Sequence, residues 1–382
     1  MSKIPFNKPF LTGKETEYIR QAVASGKISG DGIFTEKCSR YFQEKYGFKK
    51  VLLTTSCTDA LEMAAILVDI KPGDEVIVPS YTFVSTANAF VLRGAKIIFA
   101  DSSNGDPNID PETIEELITP RTRAIVPMHY AGVACQMDRI MDIARKYGLF
   151  VIEDAAQAID SYYQGKPLGS LGHLAAFSFH ETKNIISGEG GMLVINDAQF
   201  IKRAEIIREK GTNRSSFFRG EVDKYGWVDI GSSFLPSEII AAFLFAQLEN
   251  LEQIQHQRMK IWHTYYSALH SLQDEGYVKL PCIPEFASNN AHMFFLLCRN
   301  LNERSGLIDY LKKNDILSVF HYISLHKSPF YLDKHDGRDL KNADRYSDIL
   351  VRLPFYYELT DDNIRFIIEQ VKNYFHARVP DN

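Results

Sequence analysis

The run Ser178-Phe-His-Glu-Thr-Lys183-Asn-Ile-Ile-Ser-Gly188-Glu-Gly190-Gly191 sets one lysine between a small hydroxyl residue and a glycine-rich turn. Upstream, Val151-Ile-Glu153-Asp154-Ala-Ala-Gln157 reads as a buried strand that delivers an acid at its carboxyl end, where open α/β sheets place ligands. A lysine able to form a Schiff base and an acid able to face a pyridine nitrogen are the minimal set for pyridoxal phosphate chemistry. The acid keeps that nitrogen protonated, and the positive ring then takes up the electron pair released when a substrate C–H bond breaks. Free lysine, with a pKa of roughly 10.4, is protonated and poorly nucleophilic at neutral pH until burial lowers it. Most lysines are solvated surface groups, and Asp154 alone reads equally well as a helix cap. The two together favour the chemical reading.

Other residues fit the same cofactor. Its phosphate needs backbone N–H groups and small hydroxyls, which Thr54-Thr-Ser-Cys-Thr58-Asp59-Ala-Leu61 offers where a strand turns into a helix. Thr58 and the adjacent amides are the expected anion site, with Ser178 as a further hydroxyl. Phe83, in Pro79-Ser-Tyr-Thr-Phe83-Val-Ser85, is placed to stack on a planar ring, and Gln157 to reach the phenolic oxygen. Glu153 is expected on the opposite face of its strand. No HExxH or paired Cys/His spacing accompanies His129, His173, His180, His321 and His326, so no metal is expected. A GxGxxG after the first strand is also missing, which disfavours a nicotinamide site.

The elements that must position these residues follow from pattern. Between about residues 50 and 200, Val51-Leu-Leu, Glu75-Val-Ile-Val, Ala95-Lys-Ile-Ile-Phe, Ala124-Ile-Val-Pro, Leu149-Phe-Val-Ile and Met192-Leu-Val-Ile alternate with helical segments at 57–67, 85–92, 111–118 and 137–147. Such alternation predicts an α/β fold with a mostly parallel sheet covered by helices. A long helical pattern over about 237–272 is expected to bridge two lobes. Past Leu280-Pro-Cys-Ile-Pro the texture changes, predicting a smaller α+β domain. The expected division is 1–250 for the large cofactor-binding domain with an N-terminal arm, and 251–382 for the small C-terminal one.

The 382 residues can bury more than one core, since single cores stop growing near roughly 250–300 residues. A net charge of −5 argues against a nucleic-acid partner. Five scattered cysteines without a CxxC pair, and an N-terminus without a basic region followed by an apolar core, predict a cytoplasmic protein. No stretch approaches the roughly 18 apolar residues of a membrane span.

Thr58-Asp-Ala-Leu, Pro79-Ser-Tyr-Thr-Phe-Val-Ser-Thr-Ala-Asn, Glu153-Asp-Ala-Ala-Gln, Ser178-Phe-His-Glu-Thr-Lys-Asn with Gly188-Glu-Gly-Gly, and His321-Tyr-Ile-Ser-Leu-His together resemble the DegT/DnrJ family of sugar-nucleotide aminotransferases. The resemblance runs from about residue 4 to 375. It implies a fold-type I pyridoxal 5′-phosphate (PLP) aminotransferase, active as a homodimer with shared active sites. In it Lys183 carries the cofactor, Asp154 binds the ring nitrogen, Gln157 binds the phenolic oxygen, and Phe83 stacks. Thr58, Asp59 and Ser178 hold phosphate. The family's Gly-x-Asn, which reaches the neighbouring subunit's phosphate, corresponds here to Gly231-Ser232-Ser233, so Ser233 is assigned that contact. Relatives that dehydrate sugars replace the lysine with histidine, whereas this chain keeps Lys183.

The implied reaction moves an amino group from L-glutamate to C-4 of dTDP-4-dehydro-6-deoxy-D-glucose. Galacto is the expected product configuration; the gluco epimer and other keto-sugar nucleotides are alternatives. Lys210, Arg214 and Arg219 are candidate cations for the sugar diphosphate, and His321 is a further substrate candidate. A catalytically silent binder of cofactor or sugar nucleotide is the competing class. An amino-acid aminotransferase would need an arginine for the substrate α-carboxylate, and no motif identifies one.

Overall fold

A computed structural model describes residues 3–377. Its centre is a seven-stranded sheet in the order Lys50–Thr54, Gly191–Ile195, Leu174–Ser178, Phe150–Asp154, Thr122–Ile125, Glu75–Pro79, Lys96–Ala100. All pairings are parallel except the two made by Gly191–Ile195. Most strand residues are buried because helices cover both faces, which is why the strands read as near-continuous apolar runs rather than alternating ones. Six of the seven correspond to the expected runs. Leu174–Ser178, which carries Ser178 to the site, was not among them; Leu-Ala-Ala-Phe-Ser is too short and alanine-rich to announce a strand.

Helices Cys57–Leu67 and Met137–Tyr147 have the expected bounds. The first is capped by Ser56, whose hydroxyl accepts from the Asp59 amide at 3.0 Å; the second ends on Gly148 in the left-handed conformation. The helix expected over 111–118 is instead two single 3₁₀ turns, Pro111–Thr113 and Glu115–Leu117. Pro120 disfavours the helical region for Thr119, leaving a window too short to propagate an α-helix. The pattern over 237–272 divides into Glu238–Leu248 and Leu251–Asp274. Asn250 marks the break, its side-chain amide donating to the Ala246 carbonyl at 2.9 Å, which the helix end leaves free.

Leu251–Asp274 joins two cores. Leu251 and Ile254 pack with residues under the large sheet, whereas Ile261, Tyr265 and Leu269 join a separate cluster with Phe294, Leu311, Phe355 and Phe375. That cluster lies on a three-stranded antiparallel sheet, Phe295–Leu297, Leu350–Arg352 and Val319–Phe320, with Leu350–Arg352 in the middle. Ile4 bridges to Ile316, so the N-terminal arm packs against this second core. Among the described residues no helix is long and apolar enough to cross a membrane.

Candidate active site

The carboxyl ends of Glu75–Pro79, Phe150–Asp154 and Leu174–Ser178 open on a cavity of about 530 Å³, within the usual range for a small-molecule site of roughly 300–1,000 Å³. Lys183, Asp154, Gln157, Ser178, Thr58, Phe83 and His321 all line it, from segments more than 260 residues apart in the chain.

Asp154 is 4% exposed. Its Oδ2 accepts from the Thr86 hydroxyl at 2.6 Å and its Oδ1 from the Ala156 amide at 3.1 Å. Burial pushes its pKa above the ordinary carboxylate range, and the Thr86 and Ala156 hydrogen bonds and Lys183 oppose that. A buried carboxylate so held needs a cationic partner, as a protonated pyridine nitrogen would be. Glu153 lies on the opposite face, accepting from His129 Nε2 at 3.0 Å and from the amides of Gly169, Leu171 and Gly172.

Burial lowers the pKa of Lys183, which is what a nucleophilic amine requires. The next residue fixes the backbone there. Asn184 donates through Nδ2 to Gln255 Oε1 and to the Asn290 carbonyl, both at 2.8 Å, and its Oδ1 lies 2.8 Å from His292 Nδ1. Gln157 accepts from the Ala131 amide at 2.6 Å and donates to the Tyr322 hydroxyl at 3.0 Å. One Nε2 proton is left uncommitted, as a contact to a phenolic oxygen requires.

The anion pocket is the turn into Cys57–Leu67. First-turn amides have no intrahelical acceptor, and the Thr58 and Ser85 hydroxyls sit 2.8 Å apart beside them. Gly191 packs behind this turn. A Cβ there would meet Ser56 C at 2.4 Å and Cys57 N at 2.5 Å, so only glycine lets the antiparallel strand back the turn this closely. Phe83, 54% exposed, presents its ring at the mouth. The buried acid, the half-buried amine, the amide-and-hydroxyl cradle and the available ring face fit PLP, which Lys183, Asp154, Gln157, Thr58, Ser178 and Phe83 would hold.

Five candidates do not line this chain's cavity. The Asp59 side chain accepts from the Thr55 hydroxyl; a carboxylate would repel a phosphate, so only its backbone suits the turn. Arg219 is committed to Glu205 at 2.9 Å and Glu221 at 2.7 Å. Arg214 packs its guanidinium 5.2 Å from the Phe218 ring centroid. Lys210 adopts a left-handed φ of 65° in a turn where its amide donates to the Ser232 carbonyl. Ser233 is exposed and pairs through its backbone with Glu209.

Several residues of the site had not been singled out: Thr86, which grips Asp154 from behind, and His292, Tyr322 and Arg352, which line the cavity. Thr86 and Tyr322 carry no local signal. Arg352 does, as a charge inside the apolar run Ile349-Leu-Val-Arg-Leu-Pro-Phe. His292 and His321, the latter 2.9 Å through Nδ1 from the Tyr130 hydroxyl, have pKa values well below the ordinary histidine value, first because they are buried and then because Lys183 and Arg352 are near. Both therefore stay neutral in the folded chain after the unfolded chain has begun to protonate them. The unfolded state binds more protons as pH falls below about 6.5, so stability is present above that value and declines beneath it, by about 1.4 kcal/mol per pH unit for each residue. Melting of the cofactor-free protein is expected to show a Tm that falls between about pH 7.5 and pH 5.5, and that falls less in His292→Gln.

The profile of the DegT/DnrJ/EryC1/StrS aminotransferase family matches residues 9–372. The chain is 32% identical over 382 residues to the spore coat polysaccharide biosynthesis protein SpsC of Bacillus subtilis, covering 97% of this chain and 96% of that one. It is 31% identical over 376 residues to the GDP-perosamine synthase of Escherichia coli O157:H7, covering 98% and 99%. The PLP-form of Spr1654 from Streptococcus pneumoniae superposes with a TM-score of 0.89 at 25% identity, covering 98% of each chain or more. With a lysine, an acid and an anion cradle meeting in one cavity, and a match that spans nearly its whole length, this chain belongs to the DegT/DnrJ/EryC1/StrS family of PLP-dependent sugar aminotransferases.

Proposed function

We propose that the protein transfers the amino group of L-glutamate to C-4 of dTDP-4-dehydro-6-deoxy-D-glucose, giving dTDP-4-amino-4,6-dideoxy-D-galactose. The amino-transfer part rests on one observation, that Lys183 and Asp154 face the same cavity with opposite shifts from one cause: burial makes the amine less basic and the carboxylate more basic. Bound PLP supplies an aldehyde that condenses with amines and a ring that accepts the electron pair of a breaking C–H bond. Lys183 Nζ would carry the proton to and from the substrate carbon. Asp154 holds the proton on the ring nitrogen, and Thr86 and Ala156 fix its carboxylate for that task.

The acceptor is proposed from longer runs. Gly30-Asp-Gly, Ser85-Thr-Ala-Asn-Ala-Phe-Val-Leu-Arg-Gly-Ala95, His129-Tyr-Ala-Gly-Val-Ala-Cys135, Arg208-Glu-Lys-Gly-Thr-Asn-Arg214 and Asp229-Ile-Gly-Ser-Ser233 resemble the dTDP-4-amino-4,6-dideoxygalactose transaminase of enterobacterial common antigen synthesis. The similarity to a protein named GDP-perosamine synthase favours, as a second reading, a GDP-linked acceptor. In either reading the active unit is a cytoplasmic homodimer. The segment 210–233 stands outside its own chain's cavity and exposes Phe218 and Trp227, the latter by 84%, apolar surface of the kind that marks a contact. There Ser233, Lys210 and Arg214 would serve the partner's site.

Incubating the protein with PLP, L-glutamate and dTDP-, UDP- and GDP-linked 4-keto-6-deoxy sugars tests both readings. The expected result is an amino sugar from the dTDP substrate, with an axial C-4 amine by NMR. Turnover of the GDP sugar alone would select the second reading, and no amine from any of them would refute both.

A further inference from the structure

Arg352 ends the strand Leu350–Arg352, which is held on both sides, with Arg352 opposite Phe295 and Val319. Among the described residues it is the one arginine lining the cavity that Asp154 and Lys183 share. Its Nε is buried and makes no hydrogen bond. Among the described residues no carboxylate is paired with it, and the titratable groups beside it are the phenols of Tyr130, Tyr322 and Tyr81, which burial keeps neutral. The guanidinium carbon lies 4.8 Å from the Phe6 ring centroid, so an aromatic wall holds the fork in place. The neighbouring Arg258 is already spent, donating to the carbonyls of Ala291 at 3.1 Å and His292 at 2.7 Å.

An arginine does not shed its proton in a protein, and a buried cation without a partner is costly. Such a group persists where an anion completes it. The charge around it says which anion. His292 and His321 are held neutral by burial, so Arg352 is the one cation besides Lys183 that presents hydrogen-bond donors to this end of the cavity. That matches a carboxylate, which the planar fork binds through two parallel hydrogen bonds, better than a dianionic diphosphate.

We propose that Arg352 receives the α-carboxylate of the amino donor, an inference that rests on the aminotransferase reading above. The donor is then chosen in this cavity by an arginine on the C-terminal sheet, and its amine is presented to the part of the site where Lys183 works.

The test compares L-glutamate with 4-aminobutanoate, which is the same molecule without its α-carboxylate. Conversion of the holoenzyme to its amine form is followed by absorbance without any sugar, for the wild type, Arg352→Gln and Arg352→Lys. The preference for glutamate should fall by roughly 30-fold or more in Arg352→Gln, the usual cost of removing one member of a buried charge pair, and by less in Arg352→Lys. Calorimetry with 2-oxoglutarate, which binds the holoenzyme without reacting, should show its Kd rise by a similar factor. An equal loss for both donors would mean a structural role or a contact to the other carboxylate, and would overturn the proposal. So would an unchanged preference with weakened binding of dTDP. If wild-type holoenzyme did not respond to glutamate at all, the amino-transfer reading would fail, while the 2-oxoglutarate titration would still report on Arg352.

Discussion

Lys183→Ala is expected to lose the visible absorption of the cofactor-loaded protein and to transfer amino groups at least roughly 10⁴-fold more slowly, the upper range for removing a positioned acid–base group. Two functions go at once, the covalent hold on the cofactor and the proton carrier. The fold should survive. Burial lowers the Lys183 pKa, so the folded chain binds fewer protons than the unfolded one as pH falls below the ordinary lysine value, and stability is lost in that direction. At neutral pH the half-buried amine is thus a cost that alanine removes, offset by lost contacts of its methylenes at a cavity wall. Melting temperatures of the two cofactor-free proteins should agree within a few degrees, as for most truncations away from a packed core. Normal turnover in the variant would disprove the assignment.

Asp154→Asn should retain the cofactor and lose roughly 10²- to 10³-fold in kcat, the range seen when one preorganised electrostatic partner of a reacting group is removed. An amide fills the same volume and can still accept from Thr86 or the Ala156 amide, but it carries no charge to keep a proton on the ring nitrogen. The sign of the stability change separates this from damage. Asp154 has its pKa raised by burial, so the folded chain binds more protons than the unfolded one above the ordinary aspartate value. Its contribution is then favourable at low pH and lost as pH rises. At pH 8 the charged form opposes folding, and the asparagine variant should melt no lower than the wild type. A variant that was both inactive and several degrees less stable would point to misfolding rather than to the missing charge.

The divided outcome among the candidate residues has a physical basis. Asp154, Gln157, Ser178 and Lys183 are close in sequence to strand ends, and a strand of known direction carries its last residues to one edge of a parallel sheet. Thr58 and Phe83 follow two other strands of that sheet and arrive at the same edge. Lys210, Arg214, Arg219 and Ser233 instead occupy a segment with little regular structure, whose course no periodicity fixes. Local pairing with Glu205, Glu221 and Glu209 decides where they lie. Tyr322 was hidden, and Arg352, although conspicuous in an apolar run, had no assignable role, for another reason: what they do depends on how the C-terminal sheet sits against the large one, a relation between elements distant in the chain.

The order of apolar runs and helical segments determined by itself that this is an α/β protein, because each run must be buried and each helix must cover it. Asp154 at a strand end and Lys183 beside a glycine-rich turn likewise pointed to the class of cofactor. Tertiary packing alone decided the rest: that Thr86 would grip Asp154, that Asn184 would brace the backbone beside Lys183, and that one guanidinium would enter the cavity unpaired. Burial and charge compensation are properties of what surrounds a side chain, and those surroundings are assembled from segments that no local pattern joins.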